Sequence, residues 1–427
     1  MSILKDLPEL LKAGIITQEN AVAIEAYYKS KSGSSSNRLF VAFGILGSIL
    51  VGLGIILIIA HNWDELSRFT KTFFAFIPLV AAQGICAFVL LKKATNTVWV
   101  ESATTFLFFA VGACISLISQ IYHIPGNLSS FLIIWMLLCL PLIYVMKSSM
   151  AALLYLVGIT YYAAETSYFL YPVDQSYLYW VLLIALFPQY YLLFRKSPQS
   201  NFLLVENWLI PISITIVLGT LATGTGELMF ITYFSLFGLY YTIGNNAYFK
   251  DKDLRNNAFK VIGALGIIII LFVGSFEGFW EEIRNEHYYF GELITAIEFW
   301  AALILSLIAI VYLYEQQKNK PMRELPILSP IFLLFILIYI IGLYSSIAVV
   351  LINLIILTIS ILTIMDGAKR EHLGVLNFGL SIITIWIVIR FLNSDLSFVI
   401  RGILLMAIGI GFFTANYWML KKRRRNE

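Results

Sequence analysis

The chain has 427 residues, of which 60% are hydrophobic, 15% aromatic and only 13% charged. This composition excludes an ordinary soluble domain and predicts an integral membrane protein. The net charge of +4 is concentrated in short loops and a basic tail, which favours a lipid bilayer as partner and no nucleic acid. The three cysteines lie inside apolar runs without a CxxC spacing, so neither a disulfide framework nor a zinc site is expected.

The amino-terminal residues are polar and have helical periodicity, which argues against a cleavable signal peptide. Residues 1–31 predict a short cytosolic helical hairpin, with a turn at 13–16 and Thr17 as N-cap of the second helix. The Ser- and Gly-rich residues 32–38 predict a flexible linker. A cytosolic protein partner at the hairpin is one hypothesis for its role.

Residues 39–420 form a succession of apolar segments of about 17–25 residues, the length that crosses a bilayer as a helix. We therefore predict an all-α fold, a polytopic transmembrane bundle of about 14 spans. Two long apolar stretches are divided, at 147–149 and 342–346, because each is too long for one crossing. The predicted spans are 39–60, 72–91, 103–122, 129–146, 149–165, 176–194, 202–221, 228–244, 259–275, 292–314, 327–343, 346–365, 373–391 and 397–419.

The distribution of lysine and arginine predicts the orientation. With a cytoplasmic amino terminus and alternating spans, all but five of the 29 cations face the cytoplasm, including the basic tail 421–427. This asymmetry is typical of a multi-pass protein of the bacterial cytoplasmic (inner) membrane with both termini in the cytoplasm. The acidic and aromatic segment 277–292 would then form an outer interfacial helix.

Polar side chains gather at the outer ends of the first, third and fifth spans. Spacings of three, four and seven residues place several of them on shared helical stripes. Polar groups at membrane depth are costly unless they are paired or face water, so we predict an outward-facing substrate pocket there. The candidate residues are His61, Asn62, Trp63, Asp64, Glu65, Ser116, Gln120, Tyr122, His123, Tyr161 and Glu165.

Other intramembrane charges form a second candidate group. Glu298 lies within the tenth span, and Arg390 and Arg401 lie at the outer ends of the last two spans. These residues predict either a buried ion pair or an ion-coupling carboxylate. Glu206, near the start of the seventh span, is expected to be interfacial.

Small residues recur in the first span, where Gly44, Ser48 and Gly52 are four residues apart. Such a stripe permits close approach of another helix, and we predict packing within the chain rather than dimerisation.

Enzyme signatures are missing from the sequence: it contains no P-loop, no HExxH and no GxSxG motif. His61, His123 and Asp64 have no diagnostic metal-ligand spacing, so we expect neither a metal nor a cofactor.

The polar segments also carry a resemblance to a known group. Gly52-Leu-Gly-Ile, followed by Ile59-Ala-His-Asn-Trp-Asp64, resembles the first signature of the bacterial DUF2157 family, and Gly112 to His123 resembles its second. The resemblance covers roughly residues 1–165 and extends to the last helix at Arg401-Gly-Ile-Leu. It implies a multi-spanning bacterial membrane protein of undefined mechanism.

Three functions remain open from the sequence. The first is a carrier or flippase-like protein whose outward polar pocket binds a sugar or lipid headgroup. The second is an outer-face membrane enzyme, similar to glycosyltransferases that use lipid-linked sugars, in which Asp64 or Glu65 is the general base. The third is a non-catalytic scaffold or sensor that acts through the hairpin. The sequence leaves the substrate and the oligomeric state open.

Overall fold

A computed structural model describes residues 10–11, 14–61, 67–169, 176–222, 226–250, 252–285, 295–319, 321 and 325–392, with scattered positions from 399 to 417. The described residues form helices and turns and no strand. The chain divides into two compact units, 1–206 and 207–427, and the division falls inside one helix.

The first unit contains six helices and the beginning of a seventh. Caps define several of their starts: Asn127 and Ser130 form a reciprocal capping box at the fourth helix, and Asn96 accepts from the first turn of the third. The helices are α1 Gln18–His61, α2 Arg68–Lys92, α3 Thr97–Tyr122, α4 Leu128–Val145, α5 Ser149–Ala164, α6 Leu178–Lys196 and α7 Asn201–Leu218.

The predicted amino-terminal turn and cap are present. Gly14 adopts a left-handed conformation with φ +70°, and the Thr17 hydroxyl accepts a hydrogen bond from the Asn20 amide at 3.4 Å. Most of the first hairpin arm lies outside the described residues, so the hairpin stays a prediction.

The predicted linker at 32–38 is instead part of α1, which continues without a break. Extending a helix across Ser and Gly costs less than nucleating a second helix.

Helix α3 is the centre of the first unit. It contacts α1, α2, α4 and α5, and more of its length is buried than in any other span-length helix described. Helix α1 packs on it through the predicted stripe: a Cβ on Gly44 would lie 2.5 Å from Ser102 Oγ, and one on Gly52 3.2 Å from Phe109 Cβ. The stripe therefore mediates packing within the chain, and the two helices run in the same direction.

The second unit contains the rest of α7 and seven further helices. Helices α8 and α13 are its centres: α8 contacts α9, α11 and α12, and α13 contacts α9, α10, α12 and α14. These helices are α8 Met229–Gly244, α9 Ala258–Val273, α10 Glu277–Asn285, α11 Ile297–Gln317, α12 Ile331–Gly342, α13 Ile347–Lys369 and α14 Leu373–Leu392.

Packing in the second unit combines stacked rings, hydroxyl pairs and close backbone contact. The Phe234 and Phe335 rings stack at 4.1 Å, and the Ser235 and Ser306 hydroxyls pair at 2.8 Å. At Gly263 a Cβ would lie 2.5 Å from the Tyr241 backbone nitrogen, so α9 approaches α8 with no room for a side chain.

The segment after α9 agrees with the predicted interfacial helix in part. Helix α10 bends away from α9 by 78°. Its Trp280 is fully buried and donates to the Gly274 carbonyl at 2.7 Å, while Glu281 and Glu282 are exposed. The helix is thus amphipathic, and it is anchored by one aromatic side chain.

Each of the first thirteen predicted spans coincides with one described helix, and the two inferred divisions fall at breaks before Ser149 and Ile347. By length and composition, eight described helices are able to cross a membrane, or nine if the bent pair α9–α10 is one span. Helices such as α5, α8 and α12 are shorter than the usual 20-residue crossing. Most of segment 397–419 lies outside the described residues, so a count of about 14 crossings stays a prediction.

The glycine contact in α9 gives a testable prediction. Gly263→Ala forces a methyl group into the α8 backbone, and we expect a loss of about 1–3 kcal/mol of stability. Thermal unfolding of the purified protein in detergent measures it. Gly84→Ala is the matched control, because a Cβ on Gly84 meets no atom within 4 Å. Equal unfolding midpoints for the two variants would contradict the packing described for α8 and α9.

Candidate functional site

The end of α3 carries four residues of the predicted cluster. Ser116 is half-buried, whereas Gln120, Tyr122 and His123 are exposed. His123 terminates the helix in a left-handed conformation with φ 52°, and its backbone N–H donates to the Gln120 carbonyl. Gln120 was expected to face the bundle interior or an outward cavity, and its exposure rules out the buried alternative.

The end of α5 carries the other described part of the cluster. Tyr161 is 45% exposed, and Glu165 is half-buried. Glu165 begins a π-helical turn, Glu165–Phe169, that continues from α5. A π-turn inside a helix frequently occurs at a functional position.

Hydrogen bonds hold the helix ends of the first unit at the same end of the bundle. The Ser129 and Thr166 hydroxyls, from the start of α4 and the π-turn, pair at 2.6 Å. The Tyr122 hydroxyl pairs with Thr72, near the start of α2, at 3.1 Å. Two helix ends predicted to lie on one face, those of α3 and α5, thus occupy one end of the unit.

The first-span part of the cluster is only partly described. His61 is the last residue of α1, and because α1 runs beside α3 in the same direction, its backbone ends toward the same end of the unit. Asn62, Trp63, Asp64 and Glu65 lie outside the described residues.

The second candidate group is described in part. Glu298 is fully buried in the first turn of α11, and Arg401 lies outside the described residues. The Arg390 guanidinium donates to the Ser275 carbonyl and, at 3.3 Å, to Asn353 Oδ1. The acceptors described for Arg390 are thus neutral oxygens. The predicted pairing of Glu298 with Arg390 or Arg401 stays a prediction.

Asn353 is the centre of that network. Its amide nitrogen donates to the Ser275 carbonyl at 3.1 Å, and its oxygen also accepts from Trp386 Nε1 at 2.8 Å. One amide thus ties α13 to α14 and to the turn after α9, which is a structural role.

A buried carboxylate that the sequence reasoning missed lies in α3. Glu101 is 3% exposed, and its oxygens accept from the Ser148 hydroxyl, the Ser149 N–H at 3.0 Å and the Met150 N–H at 2.9 Å. A carboxylate at these amides caps the start of α5 and complements its helix dipole. The sequence feature that could have predicted this is Asn96, a typical N-cap residue. It starts α3 six residues before the predicted span, so Glu101 lies within the helix.

Glu206, expected at the interface, is completely buried. Neither of its carboxylate oxygens has a hydrogen-bond donor within ordinary geometry in the described part of the chain. Its polar neighbours are the Gln189 amide of α6 and, electrostatically, Glu101. The Gln189 Oε1 atom is also buried without a donor. The expectation rested on the position of Glu206 near the start of a span, and that position does not tell whether the side chain packs against another helix.

The Glu101 cap gives a second testable prediction. Glu101→Ala leaves the amides of Ser149 and Met150 buried without an acceptor, at a cost of about 1–3 kcal/mol for each orphaned group. The unfolding midpoint in detergent measures it. Glu281→Ala, at an exposed carboxylate of α10, is the control and should be near neutral. An unchanged midpoint for Glu101→Ala would show that this contact does not stabilise the fold.

Comparison with known proteins gives a match for the amino-terminal third of the chain. Residues 8–152 match the family model described as predicted membrane protein (DUF2157), in agreement with the resemblance of the two signatures. The chain is a membrane protein with several helices able to cross a bilayer. No curated protein and no solved structure matches the chain.

Proposed function

We propose that the protein is a carrier or flippase-like protein of the bacterial cytoplasmic membrane, with both termini in the cytoplasm. Its substrate site is the polar end of the first unit, formed by the ends of α3 and α5, and it binds the headgroup of a lipid. The observation that carries this proposal is the accessibility of Gln120, His123, Tyr161 and Glu165.

Accessibility separates these side chains from structural polar groups. The structural groups Glu101, which is buried, and Asn353, which is half-buried, are both used by hydrogen bonds within the protein. The cluster supplies an amide, an imidazole, a phenol and a carboxylate that remain open to a ligand. The helix ends beneath them are held by the Ser129–Thr166 pair, so the site has a firm base.

Apolar surface next to the polar cluster favours an amphipathic ligand over a free sugar. Val157 lies one helical turn before Tyr161, and Phe169, at the end of the π-turn, is 71% exposed. A headgroup that contacts Gln120 and Glu165 can therefore keep its acyl chains along an apolar helix surface.

Lipid movement in proteoliposomes tests the proposal. The probe is a headgroup-intact phosphatidylglycerol with a fluorophore on one acyl chain, bleached from outside by a membrane-impermeant reductant. Wild-type protein should raise the fraction of probe that reaches the reductant, and Gln120→Ala combined with Glu165→Gln should lower the rate at least tenfold. The reason is that both changes remove headgroup contacts.

The matched control combines Gln317→Ala with Glu315→Gln, which changes the same residue types in α11, where Glu315 is exposed and Gln317 is half-buried. The control should retain the wild-type rate. The carrier proposal is wrong if the reductant bleaches the probe no further in vesicles with wild-type protein than in empty vesicles. It is also wrong if the two double variants move the lipid at the same rate.

A further inference from the structure

We propose that Glu206 is a proton-binding site of the first unit, with the Gln189 amide as the acceptor of the bound proton. The site lies toward the end of the unit opposite the polar cluster. Glu206 interacts electrostatically with Glu101, which lies close to the start of α3. Gln120 of the polar cluster is 19 residues further along α3, a rise of about 28 Å in a helix. Proton binding at Glu206 would be the driving reaction of the proposed carrier, and only this coupling role depends on that proposal.

The argument begins with unmatched acceptors. Glu206 is 0% exposed and Gln189 is 8% exposed. Both carboxylate oxygens of Glu206 and the Oε1 atom of Gln189 are buried without a hydrogen-bond donor in the described part of the chain. The Gln189 amide is the polar side chain that faces Glu206, yet it makes no hydrogen bond of ordinary geometry to either carboxylate oxygen. An ionised Glu206 is therefore poorly satisfied for its burial, which is costly in an apolar bundle.

One proton resolves most of this mismatch. A neutral Glu206 carries an O–H group, which donates to Gln189 Oε1 and satisfies that acceptor. The buried charge disappears at the same time, which removes the larger part of the cost. The reaction adds a proton from water to one carboxylate oxygen and breaks no other bond.

The neighbouring carboxylate supports the neutral form of Glu206. Glu101 is saturated by the Ser148 hydroxyl and two backbone amides, and these donors stabilise its negative charge. A second negative charge close to it is disfavoured. The two buried carboxylates have different environments and therefore different roles: Glu101 stabilises the fold, and Glu206 binds the proton.

A metal cation fits these groups less well than a proton. Among the described residues no three His, Cys, Asp or Glu side chains come together to hold a metal ion. Hard cations such as calcium take six or more oxygen ligands, and Glu206 and Gln189 offer three free ones. A proton needs one donor atom and one acceptor, and both are present.

Infrared difference spectroscopy of the full-length protein in lipid nanodiscs tests the site. Acid-minus-alkaline spectra in potassium buffer should contain the carbonyl stretch of a protonated, buried carboxyl group. Glu206→Gln should abolish that band, because glutamine has the shape of the neutral acid and cannot bind the proton. Glu281→Gln, at an exposed carboxylate, should leave it intact. A band that survives Glu206→Gln overturns the proposal.

Thermal stability supplies a second readout. A neutral Glu206 can donate to Gln189 Oε1, whereas a charged one has no hydrogen bond of ordinary geometry in the described part of the chain. The contribution of Glu206 to stability should therefore decrease as pH rises, and Glu206→Gln should remove this contribution. The variant should also be at least as stable as wild type at alkaline pH, since it removes a buried charge and keeps an amide that can pair with Gln189. A destabilised Glu206→Gln with unchanged pH dependence would show that the carboxylate is a structural group.

The two proposals fail separately. Adding sodium at constant alkaline pH should leave the spectrum unchanged, and a sodium-induced change that Glu206→Gln abolishes would replace the proton with a cation. If the carboxyl band is found but lipid movement is absent, the proton site stands and the carrier function does not. If lipid movement persists in Glu206→Gln with its pH dependence intact, the coupling role is rejected.

Discussion

A polar group enclosed by apolar helices must find a partner within the protein, because neither lipid nor the helix interior supplies one. Glu101 meets this requirement. Its carboxylate accepts from the Ser148 hydroxyl and from the first amides of α5, so one side chain of α3 fixes where the next-but-one helix begins. The joint is electrostatic as well as geometric, since a negative charge lies at the positive end of a helix.

The contact between Glu101 and the start of α5 also bears on the segment that matches the family model. The match to DUF2157 covers residues 8–152 and ends at the first turn of α5, just after the amides that Glu101 accepts from. It therefore contains the central helix α3, the three helices α1, α2 and α4 that pack on it, and the capped start of α5. The small-residue contacts of Gly44 and Gly52 lie within this segment as well. The family model thus corresponds to a packing unit built around one helix.

Satisfied and unsatisfied polar groups divide the first unit functionally. Glu101 is saturated, and the Ser129–Thr166 pair closes the other end of the unit. Glu206 and Gln189 are buried with unmatched oxygens, while Gln120 and Glu165 remain accessible. The proposed ligand site and the proposed proton site thus consist of polar groups that are not saturated within the fold, and they lie toward opposite ends of the first unit.

The sequence alone determined the class of the protein, the positions of thirteen helices and the face of α1 that packs, because apolar length and small-residue spacing are local properties of the chain. Only the tertiary structure separated the saturated Glu101 from Glu206, connected Arg390 to the Asn353 network, and showed that the predicted linker at 32–38 is part of a helix. Each of these features depends on contacts between residues that are far apart in the sequence. The hydropathy pattern of a segment does not show which distant residue will contact it.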